Sequence, residues 1–328
     1  GYKGWDLFDG LNSALFKNSI FYRNEFIRLA WIQLFKRSAI NFRKFAFVPK
    51  AYNVKGLALF ASGMISKGNL DNASELLDQL KKKVCEGYSG TSWGYNFDWQ
   101  ARAFYVPAGK PNMVTTVFAA NSFLDYYEKT GAEYGLSLAL DACRFILDHL
   151  IISEDEKKLC FGYIPGESTR VHNANMLGAA LLGRVYSHQK AEQLLEKSTK
   201  AMAYSMEALN PDHSWPYGER SHHRFIDNFH TGFNLVALKG WMDHTGVEEW
   251  HDELRKAYTY YLATFFLDDG RPKYYHNSLY PIDIHCSAQG IVTCLKLKDL
   301  DRRSLSFAKK IAEWTIENMQ DPKGFFYY

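Results

Sequence analysis

The sequence predicts an all-α fold: an (α/α)6-type toroid of helical hairpins, in one domain over residues 1–328 and lacking its last inner helix. Three observations carry this reading. Almost uncharged helices of small and apolar residues start near Asn53, Asn112, His172, Asp227 and Asp283, at a spacing of about 55 to 60 residues. Each is followed by an amphipathic helix with one charged face, over residues 70–83, 134–150, 190–208, 248–266 and 302–318. Each is preceded by an aromatic loop containing Gly or Pro. A helix that is apolar around most of its surface must be buried on most sides, whereas one with a charged face lies outside. Alternating the two gives a double ring. The period exceeds the roughly 34 residues of short helical-hairpin repeats. The surplus lies in the loops before the inner helices, so these loops gather at one end of the ring, where function concentrates.

Taken in order, the chain begins with the loop Gly4-Trp5-Asp6-Leu7-Phe8-Asp9-Gly10-Leu11-Asn12-Ser13. A helix follows over residues 21–37, with apolar Phe26, Leu29, Ala30, Ile32, Leu34 and Phe35. A basic segment, residues 36–50, leads through Pro49 to Tyr52-Asn53, where the hairpins begin. Five pairs and one N-terminal helix make eleven helices, where six hairpins need twelve. The C-terminal Pro322-Lys323-Gly324-Phe325-Phe326-Tyr327-Tyr328 reads as another loop of the same kind. The expectation is a truncated chain, with an open ring closed by a partner as the alternative. Strand signal is confined to short hairpin edges at residues 159–164 and 324–328.

Bulk properties narrow the class. With 47% hydrophobic residues in 328, the chain can bury a large core. Aromatics reach 16%, and Tyr and Trp in loops beside Gly and Pro suggest stacking surfaces. A net charge of +3 with scattered basic residues gives no case for nucleic acid. The five Cys are far apart and have no C-x-x-C spacing, which reads as reduced thiols in a cytoplasmic protein. No signal peptide and no apolar run of 18 residues is present, so no membrane span is expected. Glycine-rich phosphate loops, a G-x-S-x-G elbow and H-E-x-x-H spacing are all missing, so neither a cofactor nor a metal is expected.

The candidate chemistry lies where the loops enter the inner helices. Phe225-Ile226-Asp227-Asn228-Phe229-His230-Thr231 places a carboxylate, an amide, an imidazole and a hydroxyl within five residues. If Asp227 begins the helix, it faces the same side as His230, three residues on. Tyr280-Pro281-Ile282-Asp283-Ile284-His285 repeats the layout, and Asp283 and His285 converge if Asp283 still lies in the loop. Trp93-Gly94-Tyr95-Asn96-Phe97-Asp98-Trp99-Gln100-Ala101-Arg102 offers aromatic planes, a carboxylate and a guanidinium, groups that stack on sugar faces and bind hydroxyls. The alternative there is a packed loop whose Trp side chains plug the ring. Arg170, His172, Asn173 and Asn175 form a further polar junction, in which N-capping accounts for one Asn.

These residues leave several chemistries open. Two carboxylates drawn from Asp98, Asp227, Asp283, Glu167 and Glu219 suit glycosidic hydrolysis. His230 and His285 suit proton transfer beside a carbonyl, as in an epimerase. Asn, His, Tyr and Arg together suit a lyase or C5-epimerase. The sequence places catalysis on Asp227, His230, Asp283, His285 and Asp98. It places substrate binding on Trp5, Asp6, Trp93, Tyr95, Trp99, Arg102, Arg170, Asn173, Asn175 and Tyr217.

The loops and buried helices make the chain similar to the six-hairpin glycosidase superfamily of (α/α)6 toroids. More narrowly it resembles uncharacterised bacterial proteins of capsule and O-antigen polysaccharide gene clusters. The residues concerned are Trp5-Asp6, Asp9-Gly10-Leu11-Asn12, Asn53-Val54-Lys55-Gly56-Leu57 and Trp93 to Gln100, with His172-Asn173-Ala174-Asn175, Asp227 to Gly232 and Asp283-Ile284-His285. Those proteins end with a further loop and helix. The resemblance implies a carbohydrate in a central cleft, as an oligosaccharide, a polysaccharide or a sugar precursor. Fold alone does not give the reaction. Hydrolysis is the first expectation, epimerase or lyase chemistry the second, and a non-catalytic glycan-binding or assembly protein the rival class.

Overall fold

The structure, a computed structural model, describes residues 2–38, 40–100 and 105–327. It is mostly helical, with twelve α-helices among the described residues. The first is a single turn, so the long helices are the eleven expected. The chain divides into two compact units.

The first unit covers Gly1–Leu150 and Tyr163–Glu167. It holds α1 (Ala14–Lys17), α2 (Glu25–Arg37), α3 (Val54–Ser66), α4 (Leu70–Lys81), α5 (Met113–Thr130) and α6 (Glu133–His149). A two-stranded ribbon, β1 (Trp99–Gln100) with β2 (Tyr105–Val106), lies between α4 and α5 in the chain. Helix α3 packs on α4 and α5, and α5 packs on α6. The expected start of the first long helix at residue 21 is corrected to Glu25. Asn24 caps the helix by accepting the N–H groups of Phe26 and Ile27, and Ile20–Arg23 forms a 3-10 turn instead.

The second unit covers Ile151–Gly162 and Ser168–Tyr328. The ribbon β3 (Ile151–Glu154) and β4 (Leu159–Phe161) comes first. Helices α7 (His172–Gln189), α8 (Glu192–Met206), α9 (Asn228–Thr245), α10 (His251–Phe265), α11 (Ile284–Lys296) and α12 (Ser304–Met319) follow. Helix α9 packs against α7, α10 and α11. The approach of α9 to α11 depends on Gly232, where a Cβ would lie 2.7 Å from Gln289 Cγ and 3.0 Å from the Tyr261 hydroxyl.

The junction residues explain where the inner helices begin. Asn53, Asn112, Asp227 and Asp283 are side-chain N-caps of α3, α5, α9 and α11. Each satisfies an N–H left without an intrahelical partner in the first turn. At α7 the N-cap is Val171, with no side-chain bond, so neither Asn173 nor Asn175 is a cap. The edge expected at 159–164 is β4, three residues long. At the C-terminal loop Gln320 bridges Phe326.

Candidate active site

In the second unit, α9 positions a carboxylate–imidazole pair. Asp227 is 2% exposed; its Oδ1 accepts the His230 N–H at 3.0 Å and its Oδ2 lies 2.7 Å from His230 Nδ1. An ionised carboxylate only accepts, so Nδ1 carries the proton and Nε2 is left as the basic nitrogen. No hydrogen bond reaches Nε2 among the described residues, and His230 is only partly buried. The spacing of three residues produces this pairing because the cap residue and the third helical residue share a face.

Aromatic rings surround the pair. Tyr217 lies 4.5 Å from the His230 ring and stacks on Phe225 at 4.9 Å. Phe229 touches both imidazoles, at 4.1 Å from His230 and 5.3 Å from His285, and meets Tyr274 at 5.6 Å. Asp283 is an extended residue whose Oδ1 accepts the His285 N–H at 2.8 Å. It therefore lies at the end of the loop, where it meets the backbone of His285. Both junctions reach one thiol: burial pushes Cys286 well above its usual range, and the carboxylates of Asp283 and Asp227 add to the effect. The structure thus brings Asp227, His230, Asp283, His285 and Tyr217 into one neighbourhood.

A polar cavity of about 440 Å³ adjoins the loop that carries Tyr217. His172, Tyr204, Glu219, Glu154 and Lys158 help to line it. The His172 N–H donates to the Tyr217 carbonyl at 3.0 Å, and His172 Nδ1 lies 3.3 Å from Ser205 Oγ. Burial brings the His172 pKa down to about 4, partly opposed by Glu219, so the ring is neutral near pH 7. Tyr204 donates to Glu219, and the Arg170 guanidinium lies 3.4 Å from the same carboxylate. Asn173 is 5% exposed and its Oδ1 has no hydrogen-bond partner among the described residues.

Asn175 is corrected from ligand contact to scaffold. It is fully buried, accepts from Phe161 N at 2.9 Å, and donates to Ala201 O at 2.6 Å and Ser205 Oγ at 2.9 Å. No polar atom remains for a substrate.

The first unit treats its candidates differently. Trp93 is fully buried, donates to Leu80 O at 2.8 Å and stacks on Phe123, so it is a core residue. Asp98 is 7% exposed. Burial opposes its charge, but bonds from the Tyr22 hydroxyl at 2.5 Å, Ala108 N at 2.7 Å and Lys17 at 2.9 Å prevail and hold its pKa below the usual range. A carboxylate held ionised by three donors is a poor general acid, so within a carboxylate pair Asp98 suits only the ionised role. Trp5 donates to Val48 O at 2.8 Å under Lys50. Asp6 accepts from Asn53 at 2.7 Å and Phe8 N at 2.9 Å, and burial raises its pKa. Tyr95 bonds the Tyr163 hydroxyl at 2.7 Å and meets Trp99 edge-on at 6.1 Å. Arg102 lies outside the described residues.

Three contributors were not singled out in the sequence. Tyr274-Tyr275, shortly before Asp283, was a legible aromatic signal. Tyr204 sits on an amphipathic outer helix, where nothing in the pattern marks it.

No protein-family model matches the chain, and no curated protein matches it in sequence. Solved structures do. A sugar epimerase from a ruminal bacterium superposes with a TM-score of 0.65 at 16% identity, over 86% of this chain and 81% of that one. Cellobiose 2-epimerase from Bacillus thermoamylovorans gives 0.66 at 14%, over 86% and 82%. The GH76 α-mannanase of Bacteroides thetaiotaomicron gives 0.62 at 14%, over 84% and 76%. At such identities the likeness concerns the fold, and that fold is the all-α architecture of (α/α)6 toroid proteins.

Proposed function

We propose that this chain is a carbohydrate-active enzyme whose chemical step is proton transfer by His230 on a sugar held against Tyr217, Phe225 and Phe229. The observation that carries this reading is the bond between Asp227 Oδ2 and His230 Nδ1 at 2.7 Å, which leaves Nε2 as a base within an aromatic wall. In an open-chain sugar, Nε2 takes the proton from the carbon beside the carbonyl, and the electron pair moves into an enediolate. A proton returned to the opposite face of that carbon inverts it. His285, across Phe229, is the residue we assign to that return. Asp227 stabilises the imidazolium as it forms. The cavity lined by His172, Tyr204 and Glu219 carries polar groups suited to further sugar hydroxyls. An oligosaccharide with a reducing end fits this arrangement.

Hydrolysis by Asp227 and Asp283 is a second reading, which rests on the electrostatic effect that both carboxylates have on one thiol, Cys286. Incubation of reducing disaccharides in deuterated water, followed by proton NMR, separates the two. Deuterium gained beside the anomeric carbon, and lost with His230→Ala, supports proton transfer. Release of free monosaccharide without exchange would replace that reading by hydrolysis. Neither signal with any saccharide would favour a non-catalytic glycan-binding protein.

A further inference from the structure

The net charge of +3 conceals a strong segregation. Residues 15–50 carry eight basic side chains and one acidic, Glu25, for a net of +7. The remainder of the chain holds 31 basic residues against 35 acidic, a net of −4.

The same short segment exposes large apolar side chains. Ile20 is 83% exposed, Phe45 74%, Phe26 72%, Phe47 65% and Phe21 55%. Single exposed apolar residues are ordinary, but a cluster of this kind marks an interaction surface. The turn at 42–48 is inverted relative to a core-driven pattern. Ala46 and Val48 point inward, where they pack with Phe35, while Phe45 and Phe47 point out. Two bonds hold the register that exposes them: Ser13 Oγ donates to Ala46 O at 2.6 Å, and the buried Arg43 Nε donates to Asp9 Oδ1 at 2.7 Å.

These exposed groups are neighbours. Ala14 N donates to Phe47 O at 3.5 Å, which sets the turn beside α1. Phe16 of α1 stacks on Trp31 and meets Tyr22 edge-on, drawing in the 3-10 turn Ile20–Arg23. Exposed Arg23, Lys44 and Lys50 lie along the same elements, and so does Lys17, which is paired with Asp98.

Aromatic and aliphatic side chains among lysines and arginines fit the boundary between headgroups and acyl chains of an anionic bilayer. There the apolar groups enter by about 5–10 Å and the cations meet phosphates. A second copy of the chain is a poorer occupant, because it would set Arg23, Lys44 and Lys50 against the same cations. No helix among the described residues is long and apolar enough to cross a membrane, so the contact is peripheral. We propose that the face formed by Ile20–Arg23 and the turn at 42–50 docks on an anionic lipid surface, with Ile20, Phe21, Phe45 and Phe47 in the interface and Arg23, Lys44 and Lys50 on the headgroups.

The test is co-sedimentation of the full chain with phosphatidylcholine vesicles and with vesicles containing about one-third phosphatidylglycerol. The expected result is binding to the anionic vesicles alone, reduced at least about tenfold by Phe45→Ser with Phe47→Ser, by Arg23→Glu with Lys44→Glu, and by 0.5 M salt, where screening is severe. The two double variants touch different physics and none of the assigned site residues, so a folding defect in one, detected by circular dichroism, leaves the other to decide. Equal binding to neutral vesicles, or none to either, overturns the proposal. A salt-resistant dimer that the double Phe variant dissociates, without vesicle binding, overturns it in favour of an interface between copies.

Discussion

Asp227 holds His230 at two points, through the backbone N–H at 3.0 Å and through Nδ1 at 2.7 Å. The first bond caps α9 and the second sets the tautomer, so one carboxylate starts the helix and aims the imidazole.

These two roles separate by substitution. Asp227→Asn keeps a good cap, since Asn and Asp rank together at that position, but no longer demands a proton on Nδ1. Thermal melting should be nearly unchanged, while turnover on the sugar substrate falls by about 10²-fold or more. Asp227→Ala should lose the same activity and about 1 kcal/mol of stability as well.

Ligand linkage gives an independent check of the site. A sugar that binds only the folded state raises the melting temperature by mass action. A saccharide that shifts the wild type should cease to do so with Tyr217→Ala and with His230→Ala. Trp99→Ala reports on the first unit separately; retention of the shift there would place sugar recognition in the second unit.

Asn175 should behave as scaffold. Asn175→Ala leaves Phe161 N and Ala201 O without their partners in a dry interior. The cost should be about 2–4 kcal/mol, read as a lower denaturant midpoint. A ligand-contact role would instead give an unchanged midpoint with raised KM.

Stability should fall in acid through two buried histidines. Burial lowers His172 to about 4 and also lowers His223 to about 4, the latter with help from His222 and Arg220. The unfolded chain, with His near 6.5, binds these protons first, so stability is complete above pH 6.5 and is lost as the pH falls toward 4. His172 contributes up to about 3 kcal/mol over that window, and the less enclosed His223 contributes less because solvent screens it. His172→Gln should flatten the slope of denaturant midpoint against pH between 6.5 and 4 while leaving the slope above pH 7 as it was.

Much of the fold was legible because it rests on local periodicity. Residues flanking Asn53, Asn112, Asp227 and Asp283 announce a cap followed by an apolar helix within a few positions, and α3, α5, α9 and α11 begin there. The junctions were legible for the same reason, and Asp227 with His230 is a pair that helix geometry alone brings together.

Which polar groups find partners was decided by tertiary structure. Asn173 and Asn175 are two residues apart and chemically identical. Yet Asn175 meets groups 14 to 30 residues away that take all its bonding capacity, while Asn173 Oδ1 has no partner among the described residues. Trp93 and Trp99 differ in the same way, one fully buried on Leu80 O and the other half-buried beside Tyr95. A cap or a helical face follows from neighbours in sequence. Whether a polar atom is satisfied or left for a ligand depends on partners brought from elsewhere in the chain, and only packing supplies them.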